Sequence, residues 1–290
     1  MPNRTASRAL TPASAGLAPE GMTDPAVHPP ALRALLLGGT SEAWDLAASL
    51  APRPDVITIS SLAGRVHQPR VPPGIVRIGG FGGVNGLIDF LQTEQIDAVI
   101  DATHPFAVRI SRNTEAACRE LGLPLFALGR TEWSPSEEDD WHEVADCCDA
   151  AELVDRTAGR VFLSIGRQEL EAFADCRRAS FLIRAIEKPQ PPLPVNHTLL
   201  LERGPFDLDH ELNLLRKHAI DRVVSKNSGG AGTYAKIVAA RMLKIPVVMI
   251  RRPVKHTVPT LSSGEQICRA LQGLVEARFR LLKDGMEAEG

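Results

Sequence analysis

An α/β protein with two Rossmann-like parallel-sheet domains is the fold this sequence predicts, with a cofactor and substrate cleft expected between them. Three observations predict it. Short apolar runs alternate with helical segments, glycine-rich turns follow several of those runs, and the alternation occurs on both sides of an acidic stretch, Glu137-Glu138-Asp139-Asp140. Strands separated by helices of roughly ten to fifteen residues imply right-handed crossovers and a parallel sheet. Glycines at a strand end let ligand and backbone approach, and the helix that follows offers unpaired N–H groups to an anion.

Residues 1–30 are rich in Ala, Pro, Ser and Thr and lack apolar periodicity, so they read as a disordered leader, with Met22 an alternative start. The first domain is expected over 31–135. Its strands are Ala34–Leu37, Val56–Ser60, Ile75–Ile78, Ala98–Asp101 and Leu125–Ala127, and its helices Glu42–Leu50, Val84–Glu94 and Phe106–Leu121. The acidic stretch reads as a solvated loop or hinge. The second domain is expected over 136–290. It has strands Arg160–Ile165, Phe181–Ala185, Thr198–Glu202, Arg222–Ser225 and Pro246–Ile250, with helices Gln168–Ala174, Leu208–His218, Tyr234–Leu243 and Gly264–Leu282. The prolines Pro189, Pro191, Pro192 and Pro194 break both periodicities and mark an extended surface connector.

Composition excludes several classes. The 290 residues suit about two domains at roughly 150 each. A net charge of −2 lacks the basic excess that nucleic-acid binding needs. The five cysteines, Cys118, Cys147, Cys148, Cys176 and Cys268, show no paired ligand spacing, so neither a metal site nor a disulfide framework is expected. The vicinal Cys147-Cys148 pair reads as half-buried strand or loop. No apolar run approaches the length of about eighteen residues that crosses a membrane, and a cytoplasmic monomer is expected.

The chemistry concentrates at strand ends. Gly38-Gly39-Thr40-Ser41 follows the first strand, with Thr40 and Ser41 as hydroxyl donors and helix-start residues. The turn lacks the third glycine of the usual dinucleotide fingerprint, and a tight capped turn is the alternative. The second strand ends in Ser60, Ser61 and then Arg65, with no acid to hold ribose hydroxyls, which points to NADP over NAD. Gly80 and Gly82 belong to a dense glycine run before the next helix. Asp101, Thr103 and His104 end the fourth strand, and His104 could donate a proton near neutral pH or simply cap a helix. In the second half, Arg167, Arg184, Arg203 and Lys226-Asn227-Ser228-Gly229 stand at successive strand ends. Singly they read as surface charges, and jointly as a rim for a polyanionic ligand.

In this order, GGTSEA, SSLAGR, GGFGG, DATHPFA, SIGRQEL, ERGPF and SKNSGG resemble the precorrin-6A reductase and cobalt-precorrin-6A reductase family of corrin-ring, vitamin B12 biosynthesis, from about Leu35 to Arg252. The resemblance implies an NADPH-dependent oxidoreductase that reduces one double bond of precorrin-6A, or of its cobalt analogue, to precorrin-6B. It implies cofactor contacts at Gly38, Gly39, Thr40, Ser41, Ser60, Ser61, Arg65, Gly80, Gly82 and Thr103. Tetrapyrrole carboxylates or the nicotinamide end would meet Arg109, Arg167, Arg203, Lys226, Asn227, Ser228 and Gly229, with His104 and Asp101 as proton handlers. Another NADP-dependent reductase on this fold, a non-catalytic NADP-binding module and a glycine-turn transferase are the competing readings.

Overall fold

The structure, a computed structural model, describes residues 31–64, 67–255, 258 and 260–288. The expected leader, the alternative start at Met22 and the phosphate candidate Arg65 lie outside the described residues. The chain divides into two compact units, one formed up to Gly129 and again from Lys255, the other by Arg130–Val254.

The first unit begins with β1 (Leu32–Leu37), α1 (Ser41–Leu50), β2 (Val56–Leu62), β3 (Ile75–Ile78), α2 (Val84–Thr93), β4 (Ala98–Asp101), α3 (Val108–Leu121) and β5 (Leu125–Leu128). The second unit holds β6 (Trp141–Val144), α4 (Cys147–Thr157), β7 (Gly159–Ser164), a 3₁₀ turn at Arg167–Phe173 and β8 (Ala179–Ala185). It continues with β9 (His197–Leu201), α5 (Leu208–Lys217), β10 (Arg222–Lys226), α6 (Ala235–Met242) and β11 (Val247–Ile250). The chain then returns to the first unit with β12 (Thr260–Leu261) and α7 (Gly264–Ala288).

Each unit carries one six-stranded sheet in which every pairing is parallel. The orders are β12-β5-β4-β1-β2-β3 and β6-β11-β10-β7-β8-β9. Both are doubly wound. The strand order reverses between β1 and β4 in the first sheet and between β7 and β10 in the second, and ligands of such sheets bind at the carboxyl ends beside the reversal. The outer strand beyond β5 or β11 comes from a distant stretch: β12 follows the whole second unit, and β6 precedes β7.

Parallel strands covered by helices on both faces need apolar side chains in both directions, and β1 shows it. Leu32, Ala34 and Leu36 point into a cluster with Leu46, Ala47 and Leu50 of α1 and with Ile267, Leu271 and Val275 of α7. Leu35 and Leu37 point the other way, toward Leu87 and Leu91 of α2 and Ala117 and Cys118 of α3. In the second unit Phe162, Val223, Val247 and Met249 meet Leu212 and Leu215 of α5 and Ile237 and Ala240 of α6.

Three expectations change. The final helix was expected in the second domain, and it instead completes the first unit, because its apolar stripe covers the face of β1 that α1 leaves open. Its charges follow suit, with Arg278 Nη1 donating to Asp97 Oδ2 at 2.8 Å. The acidic stretch is not wholly solvated. Asp139 is buried and accepts two hydrogen bonds from Arg241, at 3.0 and 2.9 Å, and these with the Ser136 contacts overcome desolvation and hold its carboxyl below the usual range. Cys147-Cys148 opens a helix, because the Asp146 carboxylate caps α4 by accepting from Cys148 N and Asp149 N. Burial pushes the Cys147 thiol up to about 11.

Leu271 is fully buried among α1 and β1 side chains. Leu271→Ala is expected to destabilise the first unit by about 2–5 kcal/mol. Urea unfolding would measure this, and an unchanged midpoint would show that α7 does not seal that sheet.

Candidate functional site

In the first unit the carboxyl edge gathers all the described residues read as cofactor contacts, together with His104, Asp101 and Arg109. Gly38 N donates to Ser61 O at 3.0 Å and Ala102 N donates to Leu37 O at 3.0 Å, which ties the ends of β2, β1 and β4 together. Thr40 caps α1. Its Oγ1 accepts from Ala43 N at 3.1 Å and donates to Ala102 O at 2.9 Å, so the hydroxyl read as a ligand donor instead clamps the turn across the reversal. Ser41 is exposed and donates to Glu42 Oε2 at 3.1 Å.

Glycine leaves this edge open. A Cβ placed at Gly39, Gly80 or Gly82 would meet nothing within 4 Å among the described residues. Gly86 has the opposite reason for being glycine: a Cβ there would collide with the Phe81 carbonyl oxygen, so the turn packs directly on α2. Ser60 and Ser61 are buried, and Ser60 Oγ finds no hydrogen-bond partner among the described residues. Arg77, not singled out by the sequence, stands next to last in β3 opposite Ser61 and donates to its Oγ at 3.3 Å.

Asp101 is 0% exposed. Its Oδ1 accepts from Thr103 N at 2.9 Å, Thr103 Oγ1 at 2.6 Å and Lys255 Nζ at 3.2 Å, and its Oδ2 accepts from Ser111 Oγ at 2.5 Å. Lys255 also donates to Thr103 O at 3.0 Å and to Thr103 Oγ1 at 2.9 Å. A carboxylate among so many donors is an ionised acceptor that fixes the turn. His104 follows at half exposure. Its Nδ1 accepts from Phe106 N at 3.2 Å, so the neutral ring carries its proton on Nε2. Arg109 and Arg112 are exposed on α3 and make no ion pair among the described residues.

The second unit builds a comparable edge. Lys226 ends β10 nearly buried, with Nζ 2.5 Å from Glu169 Oε1 of the 3₁₀ turn, and Arg167 Nη1 lies 3.2 Å from Glu187 Oε2. Arg203 is exposed after β9. Asn227 is turned away from a ligand role. Its Oδ1 accepts from Trp133 N and its Nδ2 donates to Trp133 O, both at 2.9 Å, while Trp133 Nε1 donates to Gly230 O at 2.8 Å. Gly229 has φ +66°, and a Cβ there would collide with the Thr131 carbonyl, so this residue must be glycine. Ser228 is buried, 3.5 Å from Thr233 Oγ1.

Two buried cations lie behind that turn. Arg184, expected as a rim charge, is 8% exposed and pairs bidentately with Glu211 at 2.8 and 3.1 Å, its guanidinium 3.9 Å from the Phe206 ring centroid. Lys236 is 3% exposed, donates to Thr233 O at 3.0 Å and lies 5.3 Å from the Trp133 ring centroid. Burial, helped by Arg184 and opposed by Glu211, pulls the Lys236 ammonium down to about 7. Its signal was present in the sequence, since it sits beside Ile237 on the apolar stripe of a short helix.

Residues 33–272 match the family described as Precorrin-6x reductase CbiJ/CobK. A precorrin-6A reductase of Rhodococcus erythropolis is 55% identical over 221 residues, which span 76% of this chain and 89% of that protein. One of Rhodobacter capsulatus is 42% identical over 244 residues, spanning 84% and 94%. A solved CobK precorrin-6A reductase superposes with a TM-score of 0.79 at 41% identity, covering 83% of this chain and 96% of the other.

Two outcomes follow from the buried charges. Asp101→Asn turns an acceptor into an amide that faces donors and strands Lys255, and is expected to destabilise by about 3–5 kcal/mol. Adding Lys255→Met should recover part of that loss in urea unfolding, whereas a wild-type midpoint for Asp101→Asn alone would remove the carboxylate from its structural role. Lys236 carries a pH signature. Below about 7 the folded and unfolded chains both hold the proton, while between there and the ordinary 10.5 only the unfolded chain does. Stability on its account is therefore flat in acid and rises with pH across that window. The unfolding free energy of wild type minus Lys236→Met should climb there with a slope approaching about 1.4 kcal/mol per pH unit, and a level difference would show a normal lysine.

Proposed function

The chain belongs to the precorrin-6x reductase CbiJ/CobK family, and from that premise we propose that it is an oxidoreductase that converts precorrin-6A to precorrin-6B, one step of cobalamin biosynthesis, with NADPH as reductant. The observation that carries this is the likeness to proteins named precorrin-6A reductase at 55% and 42% identity, since the matched residues 33–272 hold every turn at both sheet edges.

The first edge suits a dinucleotide phosphate. It has the strand reversal, glycines whose Cβ positions are open, the start of α1 and a β2 end without a carboxylate. When bound, NADPH supplies a hydride to a carbon of the macrocycle, reducing a carbon–carbon double bond. Gly38, Gly39 and Ser41 would hold the pyrophosphate at the α1 N-terminus. Ser60, Ser61 and Arg65 would meet the adenosine ribose and its phosphate. Gly80, Gly82 and Thr103 would form the rest of the cofactor edge, with Thr40 keeping the turn in shape.

Proton handling falls to His104, whose Nε2 carries a proton and whose ring is oriented by Phe106 N. Asp101 acts in this reading by positioning Thr103 and the turn. Precorrin-6A is a tetrapyrrole with several carboxylates, and Arg109, Arg167, Arg203, Lys226, Ser228 and the N–H of Gly229 are the donors proposed for them. Asn227 shapes their turn. The protein's contribution is then orientation and charge matching, and the redox chemistry belongs to the cofactor.

Purified protein given precorrin-6A and NADPH is expected to consume the nicotinamide absorbance and yield a product two hydrogens heavier by mass spectrometry. NADH should be the poorer donor, and cobalt-precorrin-6A tests the other branch. NADPH binding with no turnover on either macrocycle would reduce the reading to an NADP-binding module.

A further inference from the structure

The carboxyl end of β3 holds a cation that no carboxylate answers. Arg77 is half-buried, with Nη1 donating to Gly79 O at 2.6 Å and to Ser61 Oγ at 3.3 Å, and Nη2 donating to Gly80 O at 2.7 Å. Its guanidinium lies 3.9 Å from the ring centroid of Phe81 and 5.1 Å from that of Phe90. All five partners are neutral. Among the described residues no Asp or Glu reaches it, and burial alone draws its pKa down.

Two other arginines shielded from solvent are neutralised by acids. Arg184 has Glu211 and Arg241 has Asp139, each held by two hydrogen bonds. A partly desolvated guanidinium without a counterion is unfavourable unless an anion completes it. The contacts above leave Nε–H and one Nη2 proton, a pair on one side of the guanidinium plane that suits two oxygens of a phosphate or carboxylate.

Position identifies the anion. Arg77 pairs in register with Ser61, the next-to-last residue of β2, and in doubly wound folds the end of β2 is where the adenosine ribose is read. There the chain runs Ser60, Ser61, Leu62, Ala63, Gly64, with no acid to repel a phosphate. Resting on the NADPH dependence proposed above, we propose that Arg77 is a specificity-determining residue that binds the phosphate monoester on the adenosine ribose of the cofactor, while its carbonyl contacts hold the glycine turn beside it.

The test uses cofactor fragments on the full chain, so it needs no macrocycle. Calorimetric titration compares adenosine 2′,5′-bisphosphate with 5′-AMP on wild type, Arg77→Met and Arg77→Lys, with thermal melting to establish that each variant is folded. Wild type is expected to prefer the bisphosphate by an order of magnitude or more, and Arg77→Met to lose about 10–100-fold on the bisphosphate while 5′-AMP changes by no more than about threefold. Arg77→Lys, which keeps the charge without the planar fork, should fall between them. Equal losses on both ligands would make Arg77 a clamp of the turn and overturn the assignment, as would unchanged bisphosphate binding. Wild type with no preference for the bisphosphate would sink the NADPH reading together with this one, whereas preference that survives in both variants would sink Arg77 alone.

Discussion

A carboxylate that sees no solvent must be satisfied from within, and at the end of β4 the Asp101 side chain accepts four hydrogen bonds from Thr103, Ser111 and Lys255. The rest of the first sheet edge depends on it. Thr103 adjoins His104, and Ser111 lies on α3 two residues after Arg109, so a shift in the Asp101 carboxylate would disturb both the turn that carries His104 and the start of α3. Lys255 is also where the chain re-enters the first unit, so the ion pair fixes the start of the segment leading to β12 and α7. One buried charge thereby links the strand reversal, the helix start and the closing helix.

The second unit solves the same problem with neutral groups in front and charges behind. Asn227 exchanges two hydrogen bonds with the backbone of Trp133, the indole donates to Gly230, and Gly229 leaves room for the Thr131 carbonyl. Lys236 then holds Thr233 from beneath, at the far end of the turn. Side chains that look like ligand donors in sequence, Thr40 in one unit and Asn227 in the other, thus serve as internal braces. A braced turn presents backbone N–H groups in a fixed arrangement, and that preorganisation is what anion binding at a helix start requires.

Much of this was legible beforehand because it is local. The two-faced apolar runs of β1, β4, β7, β10 and β11, with glycines after β1, β7 and β10, place these strands to within a residue or two. What was illegible is long-range or short. β12 has two residues, and β6 has only its end residues Trp141 and Val144 half-buried, so neither leaves an apolar run to read. The stripe on α7 announces a buried face without naming its partner, which is why that helix was expected in the wrong domain. Lys255 stands 154 residues from Asp101, and no pattern within a window links them. Arg184 showed the limit of charge reading: an arginine at a strand end looks like a rim cation until Glu211, on another element, is known to face it.

Pairing also qualifies what a cationic rim means in this fold. Lys226 faces Glu169 and Arg167 faces Glu187, so the second edge carries these charges as matched pairs and not as a bare positive field. Arg167 and Glu187 form a partly exposed pair of the kind that contributes little stability, of order 0–1 kcal/mol, so an incoming carboxylate competes with Glu187 at small energetic loss, whereas Lys226 is buried beside Glu169. The acids meanwhile keep each cation extended and oriented. Arg77 differs from these pairs, since aromatic rings and carbonyls orient it without neutralising it. An oriented cation left uncompensated attracts an anion more strongly than one that must first be released from an acid, which is the property a site needs when a single phosphate must decide between two otherwise identical cofactors.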